Sequence, residues 1–224
     1  MGQVVRIGRC TLYQGDCTDI LPTLNGGAVL TDPPYGIGRA KGFKGGGKGF
    51  QGSVRKKILR SYDGEDWDAA TPTHEAFQIV LSAAPLHIIW GGQYFAHMLP
   101  ASAKWLWWDK CQTMPSLSDG EMAWTSLAGA SAKKFVYSQN GLHAKEKDRV
   151  HPTQKPVQLM KWCIGMLNAS PIIDPYMGSG STLVACQQMG IEAIGIERDA
   201  HYFEVACKRV QAAYDEPDMF AQSD

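Results

Sequence analysis

The chain has 224 residues, 44% hydrophobic and 20% charged, the balance of a folded globular protein large enough for one substantial domain. Its 22 basic and 22 acidic side chains cancel to a net charge of zero, and no run of about 18 apolar residues is present for a membrane-spanning helix. Met1 to Arg6 lack a signal-peptide layout. The six cysteines (Cys10, Cys17, Cys111, Cys163, Cys186, Cys207) contain no C-x-x-C pair, and the histidines show no ligand spacing with them. Reduced thiols, a cytoplasmic location and no metal are therefore expected.

In chain order, Thr11-Leu12-Tyr13 reads as a short strand turning at Gly15-Asp16, and Asp19 to Leu24 as one or two helical turns. Ala28-Val29-Leu30 reads as a buried strand that delivers Asp32-Pro33-Pro34-Tyr35 at its C-terminal end. In open α/β sheets ligands sit at that end. The prolines lack N–H groups, so this backbone is stiff and rich in acceptors. Asp32 adds an acceptor and Tyr35 a flat face, a set suited to a planar group bearing an NH₂, such as a nucleobase edge. Taken alone, the tetrapeptide is equally a Pro-rich turn with a helix-capping acid.

Between Gly36 and Tyr62 stand eight basic residues, Arg39, Lys41, Lys44, Lys48, Arg55, Lys56, Lys57 and Arg60, with no acidic one. The rest of the chain then carries 14 basic and 22 acidic side chains. Positive charge gathered in one segment is the footprint of phosphate contact. Eight glycines between Gly36 and Gly52 deny the segment apolar surface to bury, and a mobile loop over about 36–62 is expected.

Further on, Thr73 to Ala84 reads as a helix, Leu86 to Trp90 as a buried strand, and Lys104 to Trp108, Glu121 to Ser126 and Lys134 to Tyr137 as further strands. Pro156 opens a helix through about Leu167. Ile172-Ile173-Asp174 is a short strand, Ser181 to Met189 a helix closed by Gly190, and Ala193 to Glu197 a strand. Phe203, Ala206 and Val210 share one face of a last helix. Strands alternating with helices predict an α/β fold, a mostly parallel sheet with helices on both faces, in a single domain over 1–224.

Asp174-Pro175-Tyr176-Met177-Gly178-Ser179-Gly180-Ser181-Thr182 joins a strand to a helix. Gly178 and Gly180 allow a tight turn and close backbone approach, and the helix start offers free N–H groups. Glu197 ends the next strand, placed to accept two ribose hydroxyls. No G-x-x-x-x-G-K-[ST] is present, and Gly178-Ser179-Gly180-Ser181 is not a G-x-G-x-x-G turn. A nucleoside cofactor without phosphates is implied, namely S-adenosylmethionine.

These motifs together resemble the amino-methyltransferases of DNA, the N6-adenine and N4-cytosine enzymes, over about Cys10 to Val210. The catalytic motif at Asp32-Pro33-Pro34-Tyr35 precedes the cofactor motif at Asp174 to Thr182, a permuted order that looks like the β group. The resemblance implies a Rossmann-like S-adenosylmethionine-dependent methyltransferase fold. It also implies that Thr153 and Lys155 of His151-Pro152-Thr153-Gln154-Lys155-Pro156 help hold the methionine end of the cofactor. Asp16 and Cys17 would contact its adenine, and Asp174, Tyr176, Gly178, Ser179, Gly180, Ser181, Thr182 and Glu197 would form the rest of its site. Tyr176 stands where the family often carries Phe. The segment at about 138–150, where the group usually inserts its target-recognition region, is very short. Trp107 to Lys110 and Glu121 to Ser126 look like the family's sheet motifs and read mainly as core.

The expected activity is methyl transfer to the N6 amine of a flipped adenine in DNA, with Asp32 and the Pro33 carbonyl accepting the amine hydrogens and Tyr35 stacking on the base. Asp at the first motif position favours adenine by resemblance alone; N4-cytosine, an RNA amine and a protein amide remain alternatives. The basic residues at Arg39 to Arg60 are the expected DNA contacts, and a homodimer would give a second grip on DNA. A catalytically silent nucleic-acid-binding protein is disfavoured because both motifs are intact.

Overall fold

A computed structural model of the chain describes residues 2–37, 71–112, 118–138 and 154–216. Short runs rich in β-branched and aromatic residues build nine strands among the described residues: β1 Val4–Ile7, β2 Cys10–Gln14, β3 Ala28–Thr31, β4 Leu86–Trp90, β5 Trp105–Asp109, β6 Gly120–Thr125, β7 Lys133–Val136, β8 Ile172–Asp174 and β9 Ala193–Glu197. They form one sheet in the order β1-β2-β9-β8-β3-β4-β6-β5-β7. From β2 to β4 every neighbouring pair is parallel. The carboxyl ends of β2, β3, β4, β8 and β9 therefore open on one edge. Beyond β4 the sheet reverses: β6 runs antiparallel to both β4 and β5, while β7 runs parallel to β5.

The helices are α1 Cys17–Ile20, α2 His74–Ser82, α3 Val157–Leu167, α4 Ser181–Gln188 and α5 Ala200–Asp215. Their ends follow local chemistry. The Thr73 hydroxyl accepts from the Ala76 N–H to start α2, and Asp199 accepts from the Tyr202 N–H at 2.9 Å to start α5. Pro156 caps α3, and Asn168 in the left-handed region stops it.

Strand periodicity divides the core. Leu30, Ile88 and Ile172 turn to one face and join Leu159 and Cys163 of α3, Leu183 of α4 and Phe203 of α5. Val29, Ile173 and Ile196 turn to the other, with Cys17, Leu21 and Val80. Residues 28–30 are wholly buried, as a strand covered on both faces must be.

The expected α/β fold with helices on both faces is the fold observed, and the expected elements lie within one or two residues of their predicted places. β1 went unread. It is an edge hairpin partner of β2, and its Val4 is 50% exposed, so no buried run announces it. Among the described residues no helix is long and apolar enough to cross a membrane.

Candidate active site

A cavity of about 1120 Å³ opens where the parallel strands end. Asp32, Pro33, Pro34 and Tyr35 after β3, Asp16 and Cys17 after β2, Lys155 before α3, the turn after β8 and Glu197 at the end of β9 all line it. Residues up to 181 positions apart in sequence thus meet on one rim, because the parallel sheet points each loop the same way.

At one end, Glu197 is fixed by two backbone donors. The Gly178 N–H reaches its Oε2 at 2.9 Å and the Asp199 N–H its Oε1 at 2.8 Å. Burial outweighs those donors and pushes the carboxyl up to about 7. Gly178 has φ +49, and a Cβ there would point into open space, so the backbone itself forms the cavity wall. Gly180 does not line the cavity. At φ +80 it caps α4, and a Cβ would come within 3.1 Å of the Ala206 Cβ, so its role is close packing of α4 on α5. Ser179 and Ser181 line the cavity and are bonded by Arg209, whose Nη1 donates to the Ser179 hydroxyl at 3.0 Å and the Ser181 hydroxyl at 3.4 Å.

Asp174 ties the two halves together. Its Oδ1 accepts from the Thr31 hydroxyl at 2.7 Å and the Tyr176 N–H at 3.2 Å, and Thr182 bonds the same carboxyl. Burial pushes it up to about 6. The glycine turn is thereby locked to the strand that carries Asp32. Asp16 caps α1 through the Thr18 N–H at 2.9 Å and is held below the ordinary carboxylate range by its bonds to Thr18. Tyr176 and Cys17 share a side-chain hydrogen bond at the cavity wall.

At the other end, the Asp32 carboxylate accepts from the Tyr35 hydroxyl and from the Lys155 ammonium. Burial raises Asp32, with Lys155 pulling the other way. The Lys155 ammonium also donates to the Tyr35 hydroxyl at 3.2 Å and pairs with Glu121 at 2.9 Å. Glu121 in turn accepts from Lys110 at 2.5 Å, and although burial alone would raise its carboxyl, the two ammonium groups bring it down to about 2. The Tyr35 ring stacks on Tyr94, centroids 4.8 Å apart, and lies against Gly91, where a Cβ would meet the ring at 2.1 Å.

Lys110 and Glu121 are the residues that sequence reasoning missed. The available signal was charge beside apolar runs, Asp109-Lys110 after Trp107-Trp108 and Glu121 before Met122-Ala123-Trp124. Arg39, Lys41, Lys44, Lys48, Arg55, Lys56, Lys57, Arg60 and Thr153 lie outside the described residues, as does the recognition segment beyond Ser138. Among the described residues no group of three or more His, Cys, Asp or Glu is placed to hold a metal ion.

Residues 104–208 match the profile of the N6_N4_Mtase family, described as DNA methylase. The type II methyltransferase M2.DpnII of Streptococcus pneumoniae is 32% identical over 104 residues, which are 44% of this chain and 34% of that protein. The chain spans about a third of the length of the curated relatives it matches. Among solved structures, the M1.HpyAVI–SAM complex superposes with a TM-score of 0.56 at 20% identity, covering 90% of this chain and 98% of that one. The PvuII DNA methyltransferase, described as cytosine-N4-specific, gives a TM-score of 0.57 at 15% identity, covering 92% and 91%. The chain shares the fold of these two structures, one solved as a complex with SAM and the other a DNA methyltransferase.

Proposed function

We propose that the chain transfers a methyl group from S-adenosylmethionine to the exocyclic amine of a nucleobase in DNA, the N6 amine of adenine. One observation carries this reading: the Asp32 turn and the Glu197–Gly178 cradle open into a single cavity.

The cradle fits a nucleoside with free ribose hydroxyls. Glu197 uses its oxygens on two backbone N–H groups and retains lone pairs for two more donors. Gly178 leaves open the space that a Cβ would fill, and Tyr176 and Ile196 add apolar wall. When bound, S-adenosylmethionine supplies an electrophilic methyl group.

This chain's residues do the rest. An exocyclic amine is a poor nucleophile because its lone pair is spread into the ring. The Asp32 carboxylate and the Pro33 carbonyl accept its two hydrogens, localise that lone pair and hold the nitrogen in place. Asp32 needs only to be an ionised acceptor, since the proton leaves after the nitrogen has become cationic. Tyr35 supplies a stacking face for a base taken out of its duplex, at a cost of roughly a few kcal/mol. Arg39, Lys41, Lys44, Lys48, Arg55, Lys56, Lys57 and Arg60 contact phosphates. The order of the motifs, catalytic turn first, supports the β group, and residues 1–224 are read as one methyltransferase domain. Thr153, with the methionine end of the cofactor near Lys155, completes the assignment.

The test is to supply S-adenosylmethionine with duplex DNA, single-stranded DNA, RNA and a glutamine-containing peptide, all free of methylation. The products are then digested and separated by mass. N6-methyl-2′-deoxyadenosine from DNA is expected. N4-methylcytosine would correct the base, and label confined to RNA or peptide would overturn the reading. Asp32→Ala should abolish transfer, by about a hundredfold or more, with cofactor binding in calorimetry unchanged. Normal turnover in that variant would remove Asp32 from the mechanism.

A further inference from the structure

Lys155 is 6% exposed and pairs with two carboxylates, Asp32 and Glu121. Glu121 is anchored through its other oxygen by Lys110, whose ammonium lies 5.0 Å over the Trp108 ring. Charge alternates along this cluster, from Lys110 through Glu121 and Lys155 to Asp32, and it ends at the Tyr35 hydroxyl. Methyl transfer as described above asks for one of the two acids. Desolvating a second carboxylate is costly, and one ammonium could have been satisfied by Asp32 alone.

Asp32 faces a conflict that the second acid resolves. Its oxygens must accept hydrogens from the substrate amine, yet Oδ2 is engaged by the Lys155 ammonium and Oδ1 by the Tyr35 hydroxyl. An ammonium with no other partner would be stranded in a buried place once Asp32 let go. Glu121 is already 2.9 Å from that ammonium. Glu121 pairs with Trp108 of β5, and β4 pairs with Ala123 to Thr125 of the same strand, so its backbone is held in the sheet.

We propose that Glu121 is a positioning residue. It holds the Lys155 ammonium while Asp32 turns its acceptor oxygens to the substrate amine. This inference rests on the proposed function. No covalent bond changes at Glu121: Lys155 exchanges a hydrogen bond to Asp32 for one to Glu121, and Asp32 takes an amine hydrogen bond in its place.

Among the described residues, the charged and titratable groups that act on Asp32 are Lys155, Glu121, Tyr35 of its own turn, and Asp174 of β8. Neutralising Glu121 removes a like charge and turns Lys155 wholly to Asp32. Both changes favour the ionised carboxylate, and the second holds it more tightly. Glu121→Gln should therefore turn over about tenfold more slowly or worse, with the acid limb of its kcat profile moved to lower pH.

The experiment measures single-turnover methyl transfer to methylation-free DNA against pH for the native chain, Glu121→Gln, Glu121→Asp, Lys155→Met and the Glu121→Gln/Lys155→Met pair. Cofactor calorimetry and thermal melts run alongside. The expected result is a slow Glu121→Gln with native cofactor affinity and a displaced acid limb, recovery of most of the rate in Glu121→Asp, and no further loss on adding Glu121→Gln to Lys155→Met. Additive losses with an unmoved acid limb would reduce Glu121 to a structural ion pair and overturn the inference while leaving the function standing. Absence of transfer to DNA by the native chain itself would overturn both.

Discussion

Two carboxyls at this site have opposite electrostatic histories. Glu121 lies between two ammonium groups and is pushed down to about 2; Glu197 has only backbone donors and is pushed up to about 7 by burial. The sign for Glu197 follows from linkage. Its folded value lies above the ordinary glutamate value, so its contribution to the stability of the unliganded chain is full below that value and is lost as pH rises through about 7. Asp174, raised to about 6, acts in the same direction. Under the proposed function, binding of a ribose at Glu197 runs the other way, because the ionised carboxylate accepts the hydroxyls best. Cofactor affinity should fall as pH drops below 7, by up to about tenfold per unit. The rise in melting temperature on adding S-adenosylmethionine should accordingly be larger at pH 8 than at pH 6. Glu197→Gln should bind weakly at both and show little difference between them. A pH dependence that survives this substitution would assign it to another group.

At the scale of elements, the turn after β4 shapes the catalytic end as much as the turn after β3. Gly91 has φ +70, and its missing side chain is the space occupied by the Tyr35 ring. Gly91→Ala should cost about 1–2 kcal/mol for the left-handed backbone alone, more with the displaced ring, lowering the melting temperature by about 2–4 °C per kcal/mol in a chain of this size. Turnover should fall with it, whereas cofactor affinity, which the proposed function assigns to Glu197 and Gly178, should hold; weakened cofactor binding would show that the two ends are not independent. The sequence exposed most of these elements because buried parallel strands are apolar runs with an acid or glycine at the end, as in Ile172-Ile173-Asp174 and Ala193 to Glu197. It hid what depends on pairing. Val4–Ile7 is a half-exposed edge strand with no apolar run, and the reversal at β6 leaves no local mark. The Lys155–Glu121 pair spans 34 positions and exists only because β6 is seated beside β4. Lys155 was legible as a site residue, but its partners were not.

Across the whole molecule, a net charge of zero conceals two parts of opposite sign. The segment from Gly36 to Tyr62 carries eight positive charges and the remainder a net of eight negative ones. A neutral protein gains little from long-range attraction to DNA, so the proposed function assigns affinity for phosphates to that local concentration. The salt dependence of binding measures it, since each phosphate neutralised contributes about −0.9 to the slope of log K against log salt on duplex DNA. Replacing Lys41, Lys44, Lys48 and Lys57 by Gln should therefore flatten the slope by as much as about 3.6 if all four reach phosphates. Binding at low salt should weaken for every sequence alike, because phosphate contacts carry no base information. The opposite control is Lys133 and Lys134, a pair of positive charges on β7, the far edge strand of the sheet from β1. Their replacement by Gln should leave the slope unchanged. A slope that responds to the β7 pair and ignores the four segment lysines would move the DNA to that edge of the sheet and separate the basic segment from nucleic-acid binding.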